Sequence, residues 1–203
     1  MRRRLSSLEP DHIDDLLLAQ LQDPRMQPYF HIPIQSASNK VIKRINRHYD
    51  SSHLDYVVDK IRSIKNDPFL ACDVITGLPA EDEEAFLETK NFLESHGFAM
   101  MHVFPFSPRP DTPLFNASDK VPESVRDQRA SILRDLSESL NSQYVARQVG
   151  KENEVILEEK KKGFWTGLTG NYIKVIINDV PSYLKEGDLL KVRLVSENKA
   201  QVL

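Results

Sequence analysis

Four short clusters of residues, each at the end of a predicted strand, carry groups that can bind a ligand. Hydroxyl, amide and carboxylate groups there can exchange hydrogen bonds with a polar ligand, and a glycine lets a ligand approach the backbone closely. The ends of parallel strands face one edge of a sheet, so we expect all four clusters to lie together. The clusters are Ser6–Ser7, Gln35–Ser36, Asp73–Gly77 and Phe104–Ser107.

Each of these clusters, taken singly, also has a simpler structural explanation. Gly77, followed by a proline and Glu81, is typical of an ordinary turn from a strand into a helix. Ser38 is a plausible N-cap for the helix that follows Gln35. His31 could equally be a buried histidine whose ring has hydrogen-bond partners in the core. The four clusters therefore indicate a binding site only as a set.

Two arginines are candidates for contacts with a substrate. Arg109 follows Ser107 and lies between two prolines, so a stiff backbone would hold its guanidinium toward a carboxylate or phosphate. Arg47 belongs to the acid-free basic stretch 40–48, which could contact the phosphates of a nucleic acid. A solvated loop and a solvated helix face are the alternative interpretations of these two segments.

An aromatic cluster in the last quarter of the chain is the candidate for stacking on a nucleic-acid base. Trp165 and Tyr172 lie among small polar residues around Gly167 and Gly170. Aromatic side chains on a small β-barrel can stack on bases. Trp165 could equally belong to the core of that barrel, and the residue types alone leave this question open.

The elements that must position these residues alternate between strands and amphipathic helices, which predicts parallel βα units. The apolar run 69–76 is typical of a buried parallel strand, and apolar spacing predicts a long helix over 122–148. After Gly150 only short β-type runs remain, separated by glycines and prolines. We therefore predict an α/β fold, with a half TIM-like parallel βα barrel over 1–145 and a small antiparallel, OB-like β-barrel over 146–203.

Composition restricts the classes of function. The formal net charge of −3 gives no overall support for nucleic-acid binding, so any RNA contact must come from local patches. The single cysteine, Cys72, excludes internal disulfides and cysteine-based metal sites, and we predict no metal ligands. Neither an apolar run of about 18 residues nor a secretory signal is present, so we expect a cytoplasmic protein with no membrane partner.

The order of five motifs along the chain is more specific than any one of them. In chain order they are RRLSSLEP, HIPIQSASNKVIKRINRHY, DVITGLPAE, HVFPFSPRPDT and GLTGNYIKV. Over nearly the whole chain this order resembles the radical S-adenosylmethionine methylthiotransferases. Two positions differ from the family pattern, since Ala37 and Ala80 stand where the family usually has glycines. Both changes could slightly crowd a bound ligand.

The resemblance implies a radical S-adenosylmethionine partial barrel followed by an RNA-binding β-barrel called TRAM. It implies S-adenosylmethionine as cofactor, tRNA as partner, and methylthiolation of a hypermodified adenosine beside the anticodon. The last motif favours the branch acting on threonylcarbamoyl-adenosine, and the branches acting on isopentenyl-adenosine or on a ribosomal protein are alternatives. Motif positions assign Ser6, Ser7, Gln35, Ser36, Asp73, Gly77 and Phe104 to the cofactor, and Ser107, Arg109, Arg47, Trp165 and Tyr172 to substrate or RNA.

The chain departs from the family in its cysteines. The resemblance implies 4Fe-4S clusters held by an N-terminal cluster domain and by a Cys-x-x-x-Cys-x-x-Cys loop that opens the barrel. Cys72 lies in mid-strand and matches none of these ligand positions, and we assign no catalytic residue. We therefore expect a truncated chain that is inactive alone and whose missing half could be a separate partner. A non-catalytic RNA-binding remnant and a non-functional fragment that folds poorly are the alternatives.

The missing half also leads to an expectation about stability. About four parallel strands cannot close a barrel that needs eight, so the strand at 3–7 would expose an edge. We expect the inward side chains of Ile32, Ile34, Val74 and Ile75 to lose part of their cover. The first part of the chain would then be marginally stable, beside a more independent β-barrel.

Overall fold

The computed structural model describes residues 2–203, so residue 1, where the first domain was predicted to begin, lies outside it. The elements of the first three quarters are β1 (Arg3–Leu5), a short 3₁₀ helix (Pro10–His12), α1 (Asp15–Leu21), β2 (Met26–Gln35), α2 (Asn39–Arg44), α3 (Ser51–Ile64), β3 (Phe69–Thr76), α4 (Glu83–Ser95), β4 (Met100–Pro105) and α5 (Glu123–Gln148). Then follow β5 (Glu152–Lys161), β6 (Phe164–Thr169), β7 (Lys174–Ile177), β8 (Leu189–Ser196) and β9 (Lys199–Val202).

The first four strands form an open sheet in the order β1-β2-β3-β4, and every neighbouring pair is parallel. This confirms the predicted α/β partial barrel. Helices α3 and α4 begin after Asp50 and Asp82, whose carboxylates accept hydrogen bonds from the N–H groups three residues later. Ser38 precedes α2 but makes no capping bond, because its hydroxyl is buried without a partner within residues 2–203.

The open sheet has two different faces, because successive side chains of a strand point to opposite sides. One face packs against the helices, and the other, here called the open face, carries Tyr29, His31 and Asp73. The expectation that Ile32, Ile34 and Val74 lose cover is wrong, since these side chains belong to the helix-facing core and are 0% exposed. Only Ile75, among the four named residues, lines the open face.

The last five strands close into a barrel in the order β5-β6-β7-β9-β8. The prediction of an antiparallel barrel is wrong at one pair, because β7 and β9 run parallel. Sequence patterns also missed β6, whose Gly167 suggested a turn. A Cβ at Gly167 would lie 2.2 Å from a Val155 methyl group, so this glycine instead permits close strand packing.

The end of α5 joins the two sheets. Tyr144 and Val145 pack in one hydrophobic cluster with Tyr29 and Phe69 of the open sheet and with apolar side chains from inside the closed barrel, among them Val155.

Hydrogen bonds of Tyr144 also join the two sheets. Its hydroxyl donates to the backbone carbonyl of Asp67 at 3.0 Å and accepts from the side-chain amide of Asn171 at 3.0 Å. The barrel is therefore not packed independently. Within residues 2–203, no helix is long and apolar enough to cross a membrane.

Candidate functional site

A pocket of about 680 Å³ lies at the edge of the open sheet where the parallel strands end. Ligands of open parallel sheets bind at this edge, because the loops that follow the strands converge there. The pocket is lined from β2, β3, β4, the loop after β4 and the C-terminal end of α2. Five of the residues assigned from the sequence are brought together in its walls: Gln35, Asp73, Phe104, Ser107 and Arg109.

Two other assigned residues lie at the same strand ends but serve packing. The hydroxyl of Ser36 is fully buried, lies 3.0 Å from the Thr89 hydroxyl and accepts from the N–H of Ser38, so it joins β2 to α4. Gly77 has a φ of +72°, and a Cβ there would lie 1.9 Å from the Cγ of Arg126. The structure therefore places the Ser36 side chain outside the pocket and requires Gly77 for the packing of α5 on β3.

Ser6 and Ser7 follow β1 and are exposed, and neither lines the pocket. Ser7 contributes through its backbone, because its N–H donates to Nδ1 of His31 at 3.1 Å. This segment thus contacts a histidine of the open face, and its assignment to the cofactor stays a prediction.

The basic stretch 40–48 offers less free charge than its sequence suggests. Arg47 donates to Glu9 at 2.6 Å, and Arg44 binds both carboxylate oxygens of Asp119, each at 2.8 Å. Lys40 is paired in the same way with Asp82. Acidic groups from other segments therefore neutralise most of the surface that the sequence predicted for RNA.

The two aromatic residues assigned to RNA differ in exposure, since Trp165 is buried and Tyr172 is 39% exposed. Trp165 is 8% exposed and belongs to the hydrophobic cluster of the closed barrel. The ring of Tyr172 contacts that of Tyr29 at a tilt of 32° with 4.4 Å between centroids, and Arg4 lies 5.3 Å from the centroid of Tyr172. Trp165 is thus a core residue, and Tyr172 lies where the closed barrel contacts the open sheet.

Sequence reasoning missed a polar cluster on the open face, formed by His31 on β2, Asp73 on β3 and His102 on β4. Nε2 of His31 lies 3.1 Å from Oδ1 of Asp73, and the two histidine rings meet edge to face at 5.6 Å. Because the Ser7 N–H points at Nδ1, the ring proton belongs on Nε2, from which it is donated to Asp73. Strand alternation places these residues on one face, but His31 and Asp73 are 42 residues apart, so local sequence patterns could not predict their contact.

Possible ligand atoms of His31, Asp73 and His102 lie within 4.8 Å of one another, a distance that would suit a metal ion. His31 does not fit this role, since Nδ1 accepts from Ser7 and Nε2 holds a proton. Two donors then remain, whereas zinc sites use at least three protein ligands. The arrangement favours a hydrogen-bonded pair over a metal site.

The residues of this chain do not fit an iron–sulfur cluster either. Such clusters are held by several thiolates, and Cys72 is the one cysteine of the sequence. Its side chain is fully buried in the helix-facing core, and burial holds the pKa of the thiol well above its usual value. Cys72 therefore acts as a packing residue.

A buried ion pair supports the turn behind the pocket. Arg129 on α5 donates to Oε1 and to the backbone carbonyl of Glu81, both at 2.9 Å, and the Gly77 N–H donates to the same Oε1 at 2.7 Å. Burial raises the pKa of Glu81, against the opposing effects of the Gly77 hydrogen bond and the Arg129 charge. The pair connects the turn after β3 to α5.

Comparisons with known proteins match no family model but identify clear relatives. The threonylcarbamoyladenosine tRNA methylthiotransferase of Bacillus subtilis is 36% identical over 96% of this chain and 44% of its own length. The enzyme of the same name from Thermotoga maritima is 37% identical over 85% of this chain and 40% of its length. The tRNA-2-methylthio-N(6)-dimethylallyladenosine synthase of Endomicrobium trichonymphae is 31% identical over 90% and 44%.

This chain spans less than half the length of each of these relatives. Among solved structures, coproporphyrinogen III oxidase of Escherichia coli, a radical SAM enzyme, matches with a TM-score of 0.57 and 17% identity. That match covers 71% of this chain and 33% of the oxidase, and it supports the fold alone.

Proposed function

This chain belongs to the family of radical S-adenosylmethionine methylthiotransferases, and from that premise we propose that it forms the pocket-bearing and RNA-binding portion of a tRNA methylthiotransferase. The observation that carries the proposal is the similarity over 96% of the chain, which includes every strand end of the pocket. The proposal assigns 1–145 to the pocket and 146–203 to RNA.

The proposed substrate is a threonylcarbamoyl-adenosine of tRNA. Two relatives with that name are 36% and 37% identical to this chain, and the relative named for dimethylallyl-adenosine is 31% identical. The pocket adds a chemical reason, because Arg109 lines it and forms no ion pair within residues 2–203. A threonylcarbamoyl group ends in a carboxylate that Arg109 can bind, whereas a dimethylallyl group is a hydrocarbon.

The proposed cofactor of the pocket is S-adenosylmethionine. Gln35 and Asp73 can bond its polar groups, and Phe104, whose side chain is half exposed, offers a flat apolar surface to its base. When bound, S-adenosylmethionine supplies the methyl group of the product. The role of this chain is to bind and orient it, since none of its residues suits an iron–sulfur cluster.

The proposed RNA-binding part is the closed barrel, taken as a TRAM module. With Trp165 in its core, the more exposed candidate for stacking on a base is Tyr183, which is 81% exposed in the loop between β7 and β8, whereas Tyr172 is 39% exposed and partly covered by Tyr29. Lys185 follows two residues later and supplies a cation for a phosphate. The barrel would thus contact RNA through this loop.

A segment exchange tests the proposed function. The matching segment of the Bacillus subtilis enzyme is replaced by this chain in a strain that lacks the enzyme, and tRNA nucleosides are measured by mass spectrometry. We expect the methylthiolated form of threonylcarbamoyl-adenosine to return. The strain with the intact enzyme is the positive control.

Two outcomes of this exchange would contradict the proposal. Methylthiolation of dimethylallyl-adenosine alone would assign the chain to the branch of the family that acts on that nucleoside. Absence of any methylthiolated nucleoside, with the exchanged protein as abundant as the native enzyme, would favour the non-catalytic RNA-binding alternative if the protein still bound tRNA.

A further inference from the structure

Asp73 presents a fixed carboxylate to the pocket. It lies on β3 with its side chain on the open face, where the side chain is 29% exposed. His31 donates to Oδ1, and no residue in the range 2–203 donates to Oδ2. One oxygen of the carboxylate is thus held by the protein, and the other is left for a hydrogen-bond donor of a ligand.

His31 can act only as a hydrogen-bond donor to Asp73, because both of its ring nitrogens already have hydrogen-bond partners. Nδ1 accepts from the Ser7 N–H at 3.1 Å, and the ring is 7% exposed beneath its neighbours. A ring held in this way offers one donor, Nε2–H, in one direction. His31 therefore orients the Asp73 carboxylate without reaching the ligand itself.

The walls beside Asp73 suit a flat ring. Phe104 on β4 is 51% exposed, and Ile75 lies two residues beyond Asp73 on the same strand. Gln35 adds an amide at the end of β2. An aromatic face beside a carboxylate acceptor fits a heteroaromatic ring that carries an N–H donor on its edge.

We propose that Asp73 selects a 6-aminopurine in this pocket by accepting a hydrogen bond from its exocyclic N–H, and that His31 is the residue that positions Asp73. This inference rests on the proposed function, which supplies two sources of the ring, the adenosyl group of the cofactor and the adenosine of the tRNA. A purine with a carbonyl at position 6 turns an oxygen toward the carboxylate and is rejected.

Four nucleosides test the donor requirement on this chain as it stands. Adenosine and N6-methyladenosine keep an exocyclic N–H, whereas N6,N6-dimethyladenosine and inosine have none there. Titrations followed by NMR should show binding of the first two that is about tenfold tighter or more, the size expected for a hydrogen bond to a charged group. Equal affinities for all four, or binding of none at millimolar concentration, would overturn the inference.

Variants separate the acceptor from its positioning residue. Asp73→Asn and His31→Leu should each remove most of the preference for adenosine over inosine. His31→Gln should restore part of it, because the amide of glutamine can donate from nearly the same place as Nε2. A matched control is His96→Leu, which breaks the other close His–Asp pair, 2.7 Å from His96 to Asp55, far from the pocket.

A purely structural role of His31 would give a different pattern. His31→Leu and His31→Gln would then lower stability together and leave the adenosine preference of the folded fraction unchanged. Nitrogen-15 spectra of the wild-type ring give a second readout that needs no variant. We expect an unprotonated Nδ1 and a protonated Nε2, and the opposite tautomer would overturn the assigned role of His31.

Two larger probes distinguish the source of the aminopurine. S-adenosylhomocysteine represents the cofactor, and a synthetic stem-loop RNA with threonylcarbamoyl-adenosine represents the substrate. The probe whose affinity falls with Asp73→Asn carries the selected ring, and loss for neither would contradict the proposal. If the exchanged enzyme makes the methylthiolated product but Asp73→Asn leaves nucleoside selectivity intact, this inference fails while the proposed function stands.

Discussion

Among the side chains of the pocket, Arg109 is the cation left free to bind a ligand. Arg44 also lines the pocket, but its guanidinium donates to both carboxylate oxygens of Asp119. Arg44 thus joins α2 to the loop after β4, whereas Arg109 lines the pocket without an acidic partner within residues 2–203. The difference between them is Asp119, which binds Arg44.

The first prediction concerns this free charge. Arg109→Ala should weaken binding of threonylcarbamoyl-adenosine to the chain by about tenfold or more, as expected for loss of a charge-assisted hydrogen bond. Binding of dimethylallyl-adenosine, which has no carboxylate, should stay the same. Calorimetric titration of both nucleosides measures this, with Lys43→Ala as the control for an exposed cation. Equal losses for the two nucleosides would contradict a carboxylate contact.

The second prediction concerns the single thiol. After anaerobic reconstitution with iron and sulfide, the isolated chain should hold no stoichiometric 4Fe-4S cluster and should not cleave S-adenosylmethionine, because Cys72 is buried and alone. Thiol reagents should modify Cys72 only after denaturation, since burial keeps the thiol protonated. About four irons and four sulfides per chain would refute this assignment.

At the scale of elements, α5 is held to the open sheet by polar contacts at both ends. Near its start Arg129 meets Glu81 in a pair whose side chains are 7% and 2% exposed. Near its end Gln148 donates to Asp67 at 2.6 Å. These contacts hold both ends of the helix, which packs on β3 and β4.

The third prediction is that Arg129→Met destabilises the fold by about 3–5 kcal/mol at pH 7, since it leaves a buried carboxylate without its partner. Glu81 already has a raised pKa in the folded protein, and the variant should raise it further. A carboxyl group whose pKa is raised by folding stabilises the folded protein fully only below the pKa that it has in the unfolded chain. This stabilisation is lost as the pH rises through the pKa of the folded state. Urea unfolding should therefore show a smaller loss at pH 5 than at pH 7.

The exposed pair of Lys40 and Asp82 supplies the control for this comparison. Lys40→Met should cause a much smaller change, because water already solvates both groups. If Arg129→Met and Lys40→Met shifted the urea midpoint equally, the structural importance of the buried pair would be disproved.

At the scale of the whole molecule, the closed barrel and the open sheet share one hydrophobic cluster, to which α5 contributes Tyr144. The Tyr144 ring packs against Phe69 of β3 at 5.1 Å, edge to face. A core that crosses both sheets couples their unfolding, in contrast to the independent barrel expected from the sequence.

The fourth prediction follows from this shared core. Trypsin should cut the native chain first in the exposed loop after β4, at Lys120, since Pro110 protects the bond after Arg109, and should not release the barrel at Arg147 or Lys151. Tyr144→Ala should lower the stability of both sheets together by about 3–5 kcal/mol, the usual cost of truncating a buried aromatic. Early release of an intact barrel fragment from the wild-type chain would show that the two parts are independent.

The fifth prediction concerns RNA. Tyr183→Ala should weaken binding of a tRNA anticodon stem-loop by about five- to a hundredfold, the range for loss of one stacked base. Tyr56→Ala removes another exposed tyrosine, on α3, and should leave binding unchanged. Fluorescence anisotropy at several salt concentrations measures both. A larger effect of Tyr56→Ala would place the RNA on the helical side instead.

Much of the fold follows from local patterns in the sequence. The nearly continuous apolar run 69–76, interrupted at Asp73, predicted β3 with the bounds that the structure gives it, because runs of this kind are typical of largely buried parallel strands. Alternation of strands and helices determined parallel pairing, and parallel pairing places the ends of β2, β3 and β4 at one edge. Gln35, Asp73 and Phe104 could therefore be assigned to one pocket before any coordinates were known.

Only the tertiary structure decided which side chains are free. Arg47 pairs with Glu9, which is 38 residues away in the sequence, and His31 pairs with Asp73, which is 42 residues away. Trp165 faces the interior of the barrel because it lies on β6, a strand that the sequence pattern missed because of Gly167. Periodicity specifies the face on which a side chain lies, but a hydrogen bond depends on two segments meeting within about 3 Å. That distance is set by packing between elements far apart in the chain, so the partners of these residues could not be known from the sequence.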